Sequence, residues 1–189
     1  GKGGGGARLS SEGERVLRLY QRLQTLQAQV LEAAEDASDL DLLGRLMLRT
    51  SARNQLHGTV AGIEAQGRND LITLTLAEGL TLHAHITHDS TQRLDLQTGT
   101  EVVALIKAGW LELLPLDQAP TPGYTCLNGT LEQILDAEDG PSEVRISLVN
   151  GQTLCALAEP LYLRTRGLSP GQPLQVQFSP SNVLIGTPL

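Results

Sequence analysis

Three short segments carry the cations and hydroxyl groups that are best placed to bind a ligand. The segments are RTSARNQLHGTV, THDS and IKAGW, and their polar residues of interest are Ser51, Arg53, Thr87, Ser90 and Lys107. A guanidinium, an ammonium and several hydroxyls can together replace the hydration shell of a small oxyanion. These residue types therefore predict an oxyanion pocket, and such a pocket needs no catalytic base.

The segments sit in a sequence that repeats itself. HGTVAGI at 57–63 matches NGTLEQI at 128–134, 71 residues later (129 minus 58), and Gly79 matches Gly151 at an offset of 72 (151 minus 79). Each copy alternates apolar and polar residues over short runs, which is typical of β-strands. Two such copies, each of about 65 residues, predict two tandem small β-barrels of the oligonucleotide/oligosaccharide-binding type, over residues 51–120 and 121–189.

The two copies differ at the candidate ligands. The positions that correspond to Arg53 and Lys107 hold Tyr124 and Ser179, and the segment of the second copy that corresponds to THDS begins with the anion Glu159. If the cations were needed to build the barrel, both copies should contain them. The difference favours a binding site in the first copy. The alternative is that both cations are ordinary surface charges.

The N-terminal part of the chain has a helical pattern. GKGGGGARLS (1–10) has the composition of a flexible linker remnant, and Ser11 starts a capping-box motif. Apolar residues then recur at spacings of three and four, at Val16, Leu19, Leu23, Leu26, Val30 and Ala33. This seam favours a helix that pairs with a second copy, although Leu17, Tyr20 and Leu31 would also suit packing on its own domain. Residues 11–50 are predicted to form this dimerisation helix and a short second helix near Leu40–Leu48.

One strand of each copy suggests a further contact between subunits. Gln175 and Gln177 alternate with apolar residues, which predicts a strand with one solvated face. The corresponding residues of the first copy, Val103 and Leu105, make that strand apolar on both faces. We expect a partner subunit to cover the additional apolar face.

Composition and spacing argue against several other functions. The net charge of −7 and the 3% aromatic content do not suit a nucleic-acid groove. No apolar run approaches the roughly 20 residues that span a bilayer, and two cysteines without metal-ligand spacing suit a reducing cytoplasm. His83 and His85 could be metal ligands, but zinc needs three or four converging groups. No set of nucleophile, base and orienting residue is visible, so neither an enzyme nor a metal site is predicted.

At TSARNQLHGTV, GQTLCA and LIKAGW the sequence resembles the molybdate-responsive transcriptional regulators of the ModE type. The tandem barrels look like the pair of Mop or TOBE-like domains of that family, and the first 23 residues look like its linker and long dimer helix. The resemblance implies a mainly β fold with N-terminal helices. It also implies a homodimer that binds molybdate, or tungstate as an analogue, at the interface between its regulatory domains.

The family's oxyanion ligands correspond in this sequence to Ser51, Arg53, Thr87, Ser90, Lys107 and Ala108. No winged helix-turn-helix precedes GKGGGG, so we expect this chain to sense and dimerise, and to reach operator DNA only through a DNA-binding domain that it lacks. A cytoplasmic molybdate storage protein built from the same barrels is the alternative. The accessory domain of an uptake ATPase is disfavoured, because no nucleotide-binding motif precedes the barrels.

Overall fold

A computed structural model describes residues 10–33 and 52–187 of the 189-residue chain. Helix α1 spans Ser11–Ala33, as its apolar spacing predicts. The prediction of the capping residue was wrong by one position, because the hydroxyl of Ser10 accepts the hydrogen bond from the backbone N–H of Gly13 at 3.0 Å. The predicted linker spans 1–10, and its residues 1–9 and the predicted second helix near Leu40–Leu48 lie outside the described residues.

The apolar seam of α1 is exposed in the single chain. Val16, Leu19 and Leu23 expose 55%, 50% and 42% of their surface, and the neighbouring Leu17 and Tyr20 are also exposed. α1 belongs to one compact unit of the chain and all the strands described below belong to another. A stripe of this kind on a helix is apolar surface that a second helix can cover.

Residues 52–187 form ten strands and two short helices. The strands are β1 (Asn54–Gln66), β2 (Asn69–Leu76), β3 (Thr81–Thr87), β4 (Glu101–Ile106), β5 (Glu112–Leu114), β6 (Thr125–Leu135), β7 (Ser142–Leu148), β8 (Thr153–Ala158), β9 (Pro173–Phe178) and β10 (Leu184–Gly186). Helix α2 (His88–Arg93) follows β3, and helix α3 (Pro160–Thr165) follows β8.

The internal repeat is reproduced strand by strand. Gly58 of β1 pairs with Leu76 of β2, and Gly129 of β6 pairs with Leu148 of β7. Each long strand has a register shift two residues after its glycine, which bends it. A turn at Glu78 and Gly79 joins β2 to β3, and Glu78 adopts the left-handed backbone conformation that such turns need.

The two repeats exchange their last strands. One sheet has the order β10-β4-β1-β2-β3 and the other has the order β5-β9-β6-β7-β8. In the first sheet Leu184 pairs with Leu105, and in the second Leu113 pairs with Val176. The predicted boundary at residue 120 lies between the two repeats in the sequence. It does not separate the two sheets, because β5 precedes the boundary but hydrogen-bonds within the sheet that contains β6 to β9.

The core is mostly aliphatic and is continuous across both sheets. Buried residues of the first repeat, such as Ile72 and Leu82, belong to one cluster with Ile146, Leu154 and Phe178 of the second. Burial of this apolar surface is the main force that holds the strands together.

The prediction that Gln175 and Gln177 form a solvated face was wrong. Both side chains are buried, because the connection between the repeats covers them. Gln175 Nε2 donates to the carbonyl oxygens of Pro115, Leu116 and Gln118 at 3.0, 3.2 and 3.0 Å. Glutamines in β9 and apolar residues in β4 therefore reflect the different segments of this chain that cover the two strands. The difference gives no argument for a partner subunit.

Gly129→Ala is expected to destabilise the protein. A Cβ atom at Gly129 would lie 2.6 Å from Cγ2 of Ile146 and 2.8 Å from the carbonyl oxygen of Ser147. Overpacking of this kind costs about 1–3 kcal/mol, which a lower urea unfolding midpoint would report. Gly62→Ala is the matched control, because nothing lies within 4 Å of its Cβ position. Equal midpoints for the two variants would contradict this account of the glycine.

Candidate functional site

Arg53 and Lys107 lie at the same end of a strand pair. Arg53 directly precedes β1, and Lys107 directly follows β4. Asn54, the first residue of β1, pairs with Ile106, the last residue of β4. The antiparallel register therefore places the backbones of Arg53 and Lys107 next to each other, and both residues are exposed. We call this pair the cationic half-site.

The backbone next to the cationic half-site is fixed by Asn54. This buried side chain donates from Nδ2 to the carbonyl oxygens of Ile106 and Cys155 at 3.1 and 2.8 Å, and its Oδ1 accepts from Cys155 N at 2.7 Å. The start of β1 is thereby tied both to β4 and to β8 of the other repeat. The second repeat has the matching contact, in which Thr125 Oγ1 accepts from the backbone N–H of His83 at 3.1 Å.

The Arg53 guanidinium forms an ion pair with Glu143 on β7. Glu143 also accepts a hydrogen bond from the Cys155 thiol at 3.1 Å and lies 3.7 Å from Nη2 of Arg145. The hydrogen bonds from Cys155 and Arg53 hold the pKa of Glu143 below its ordinary value. The carboxylate is 19% exposed and the arginine side chain 55% exposed, so Arg53 extends outward from an anchored anion. A guanidinium has five N–H donors, and one contact to Glu143 leaves others for a ligand.

Burial raises the pKa of the neighbouring Cys155 thiol to about 11, and its hydrogen bond to Glu143 adds to the shift. The thiol therefore stays protonated at neutral pH and acts as a hydrogen-bond donor to Glu143, not as a nucleophile.

Lys107 is held over an aromatic ring. Its Nζ atom lies 5.0 Å from the centroid of the Trp110 ring, a cation–π contact. The backbone between them makes a tight turn over Ala108–Trp110, in which Trp110 N donates to the Lys107 carbonyl at 3.0 Å. This turn packs against β8. Ala108 is buried and could contribute only backbone groups to a ligand.

Thr87 and Ser90 form a second cluster at the start of α2. Thr87 caps this helix by accepting from Ser90 N at 3.1 Å, and the two hydroxyl oxygens lie 2.8 Å apart. Nη2 of Arg93 donates to Ser90 Oγ at 3.3 Å. We call Thr87 and Ser90 the hydroxyl half-site, and Arg93 adds a cation there that the sequence did not predict.

The two half-sites of one chain lie at opposite ends of β1. Thr87 pairs with Asn69, and Asn69 pairs with Gln66, the last of the thirteen residues of β1. Arg53 adjoins the first of these residues. The structure thus brings Arg53 to Lys107 and Thr87 to Ser90, but not one pair to the other. Ser51 lies outside the described residues.

Sequence reasoning missed Glu143, which is the partner of a predicted ligand. The corresponding residue of the first repeat is Leu71, so a comparison of the copies could have marked Glu143 as an added charge. It also missed Asp70, a carboxylate in phase with the buried Ile72 and Leu74 of β2. A charge at a position of the apolar face is a signal that the sequence contains.

The described residues contain no other arrangement with evident chemistry. Within 10–33 and 52–187, no three His, Cys, Asp or Glu side chains are grouped to hold a metal ion. His83 Nδ1 instead lies 3.2 Å from Thr73 Oγ1. No helix in the same ranges is long and apolar enough to cross a membrane.

Comparison with known proteins identifies the family. Residues 50–113 match the TOBE domain, a stretch that contains all six predicted ligands. The chain is 38% identical to the transcriptional regulator ModE of Yersinia pestis over 193 residues, which cover 99% of this chain and 73% of that protein. The chain belongs to the ModE family. This ModE family member is also 32% identical to the molybdenum-pterin-binding protein MopA of Rhodobacter capsulatus, with 100% of this chain and 73% of MopA covered.

A solved structure agrees with the fold. The cytoplasmic molybdate-binding protein ModG, with molybdate bound, matches with a TM-score of 0.71 at 30% identity and covers 75% of this chain and 100% of its own. The predicted fold class of this ModE family member, mainly β with tandem Mop or TOBE-like barrels after an N-terminal helix, is therefore confirmed.

Glu143→Gln is expected to destabilise the protein near neutral pH and to lose this effect in acid. A carboxyl group whose pKa is lowered by folding stabilises the folded state above its unfolded pKa, and the stabilisation is lost as the pH falls through the folded pKa. The thermal midpoint of the variant should lie below that of the wild type at pH 7, and the two should converge well below the ordinary glutamate pKa of 4.5. Glu64→Gln, on the exposed end of β1, is the control. A gap that stays constant with pH would contradict the ion pair.

Proposed function

We propose that this chain binds molybdate, with tungstate as an analogue, as the sensor part of a dimeric molybdenum-responsive transcriptional regulator. The observation that carries the proposal is the cationic half-site, in which Arg53 and Lys107 stand side by side in the repeat that matches the TOBE domain. The other repeat has neither cation. The names of the relatives ModE, MopA and ModG support the choice of ligand.

The proposed chemistry is recognition without any reaction. Arg53 and Lys107 would neutralise the two charges of a tetrahedral dianion, and charge-assisted hydrogen bonds would fix its oxygens. The hydroxyls of Ser51, Thr87 and Ser90 and the backbone of Ala108 would donate to the remaining lone pairs. The site must act locally, because the chain as a whole carries a net charge of −7.

We further propose that each oxyanion is held by two subunits. Arg53 and Thr87 adjoin opposite ends of β1 in one chain, and a strand rises by about 3.3 Å per residue. A small dianion cannot bridge that separation. The cationic half-site of one protomer and the hydroxyl half-site of its partner would close around the ligand.

A symmetric dimer could form through α1. The exposed seam of Val16, Leu19 and Leu23 has the spacing of a paired helix, and a two-fold dimer uses the same face of both copies. A ligand that touches both protomers would favour one arrangement of the pair over others, which is how binding could be sensed. Binding to operator DNA through a DNA-binding domain stays a prediction.

Molybdate storage is the second candidate, and the likeness to ModG favours it. The sensor role is preferred because the matches to ModE extend over 99% of this chain, whereas ModG covers 75%. The two roles differ in assembly. A sensor dimer should hold two oxyanions, whereas a storage protein should form a larger ring with more sites. Native mass spectrometry with molybdate distinguishes these results.

Arg53→Ala is expected to weaken molybdate binding by at least about tenfold, because a charge-assisted hydrogen bond is worth roughly 1.5–3 kcal/mol. Isothermal titration calorimetry of wild type and variant measures the change. Arg164→Ala removes an exposed cation from α3 and should bind as the wild type does. Equal affinity of wild type and Arg53→Ala, or no binding by the wild type, would refute the proposed function.

Mixing two defective variants should restore binding if sites span subunits. Arg53→Ala lacks one half-site and the double variant Thr87→Ala/Ser90→Ala lacks the other, so each mixed dimer regains one intact site. Random exchange makes about half of the dimers mixed, and roughly a quarter of the wild-type sites should return. No recovery after verified subunit exchange would show that each site lies within one chain.

A further inference from the structure

We propose that Asp70 is a positioning residue, which holds the turn carrying Thr87 and Ser90 in the geometry that an oxyanion requires. This inference rests on the proposed oxyanion site and assigns a role in it to a residue that does not touch the ligand.

Asp70 is a carboxylate on the buried face of a strand. It lies on β2 in phase with Ile72 and Leu74, and its side chain is 2% exposed. A carboxylate in such a place is costly unless hydrogen bonds replace its lost hydration. The partners that supply those bonds therefore identify what the carboxylate is fixing.

Both partners of Asp70 come from α2 and flank Ser90 in sequence. His88 Nδ1 lies 2.9 Å from Asp70 Oδ2, and the Thr91 hydroxyl, which donates to the Thr87 carbonyl at 3.4 Å, also interacts with this carboxylate. Thr91 contributes most to lowering the pKa of Asp70, and His88 contributes next. The carboxyl group therefore stays charged. The backbone N–H of His88 also donates to the carbonyl of Arg68 at 2.9 Å. These contacts hold His88 and Thr91 in place, and they therefore restrict the backbone of their neighbours Thr87 and Ser90.

Thr87 and Ser90, the hydroxyl half-site, are the neighbours of the two residues that contact Asp70. Thr87 lies just before His88, and Ser90 lies just before Thr91. Their hydroxyl oxygens are 2.8 Å apart, and Ser90 Oγ also accepts a hydrogen bond from the exposed Arg93. The contacts of His88 and Thr91 with Asp70 thus set the positions of Thr87 and Ser90.

The second repeat builds the same turn without this network. The residues that correspond to Asp70, Thr87, His88, Ser90 and Thr91 are Ser142, Glu159, Pro160, Tyr162 and Leu163. Helix α3 still forms at the equivalent place, with Leu163 buried, and Ser142 Oγ donates to Asp136 at 2.6 Å. The fold therefore does not require a buried carboxylate here. Asp70, His88 and Thr91 accompany the hydroxyl half-site, and all of them are absent where it is absent.

Asp70→Ser is the main test, because it installs the residue that the second repeat tolerates at this position. We expect the variant to fold and to bind molybdate at least about tenfold more weakly in calorimetry. Ser142→Ala, the matched change in the second repeat, should leave binding unchanged. Wild-type affinity in a folded Asp70→Ser variant would overturn the inference.

A double-variant cycle separates positioning from general destabilisation. If Asp70 acts through Thr87 and Ser90, Asp70→Ser should cost little further affinity in a Thr87→Ala/Ser90→Ala background, but its full effect should persist in a Lys107→Ala background. The same loss in both backgrounds would mean that Asp70 stabilises the fold without positioning the hydroxyls, and would overturn the proposal.

The outcomes also distinguish this inference from the proposed function. If the wild-type protein binds no molybdate, the proposed function and the role of Asp70 fall together. If the wild type and Arg53→Ala behave as proposed while Asp70→Ser binds normally, only the role of Asp70 is rejected.

Discussion

Two three-residue strands, β5 and β10, each complete the sheet of the other repeat, and the placement of the candidate ligands depends on that exchange. Because β5 must reach β9 and β10 must reach β4, the start of β1 lies against β8. Asn54 uses this proximity to bond to Cys155, and the turn that follows Lys107 packs on the same strand. The cationic half-site is thus built at a junction of two sheets and not on the surface of one barrel.

The second repeat contributes to this site although it has none of the candidate ligands. Glu143 on β7 is anchored by Cys155 and Arg145, and it anchors Arg53 in turn. A flexible arginine loses side-chain entropy when it is ordered by a ligand, and an anchor that orders it in advance reduces this cost of binding. The same logic applies on the other side of β1, where Asp70 orders α2. Each half-site therefore has a less exposed carboxylate behind it, which binds Arg53 directly in one case and binds the neighbours of Thr87 and Ser90 in the other.

The sequence predicts the parts of this arrangement that depend on local pattern. The repeat and the choice of Arg53 and Lys107 as candidate ligands follow from periodicity and from comparison of the copies. The strand exchange does not, because three residues are too few to show alternation. Gln175 was assigned to solvent because alternation shows that one face is polar, but not which loop covers it. Glu143 was missed because the choice of an ion-pair partner 90 residues away depends on tertiary contacts.

The exchange of strands also limits how such a chain can evolve after its repeat has arisen by duplication. Neither copy can be deleted or replaced alone, because each would leave the other sheet without its fifth strand. A copy can therefore be retained for its strand and its core even where it carries none of the candidate ligands. Tyr124 and Ser179 stand where the first repeat has its two cations, and they show how far that divergence can go in a repeat that the fold still requires.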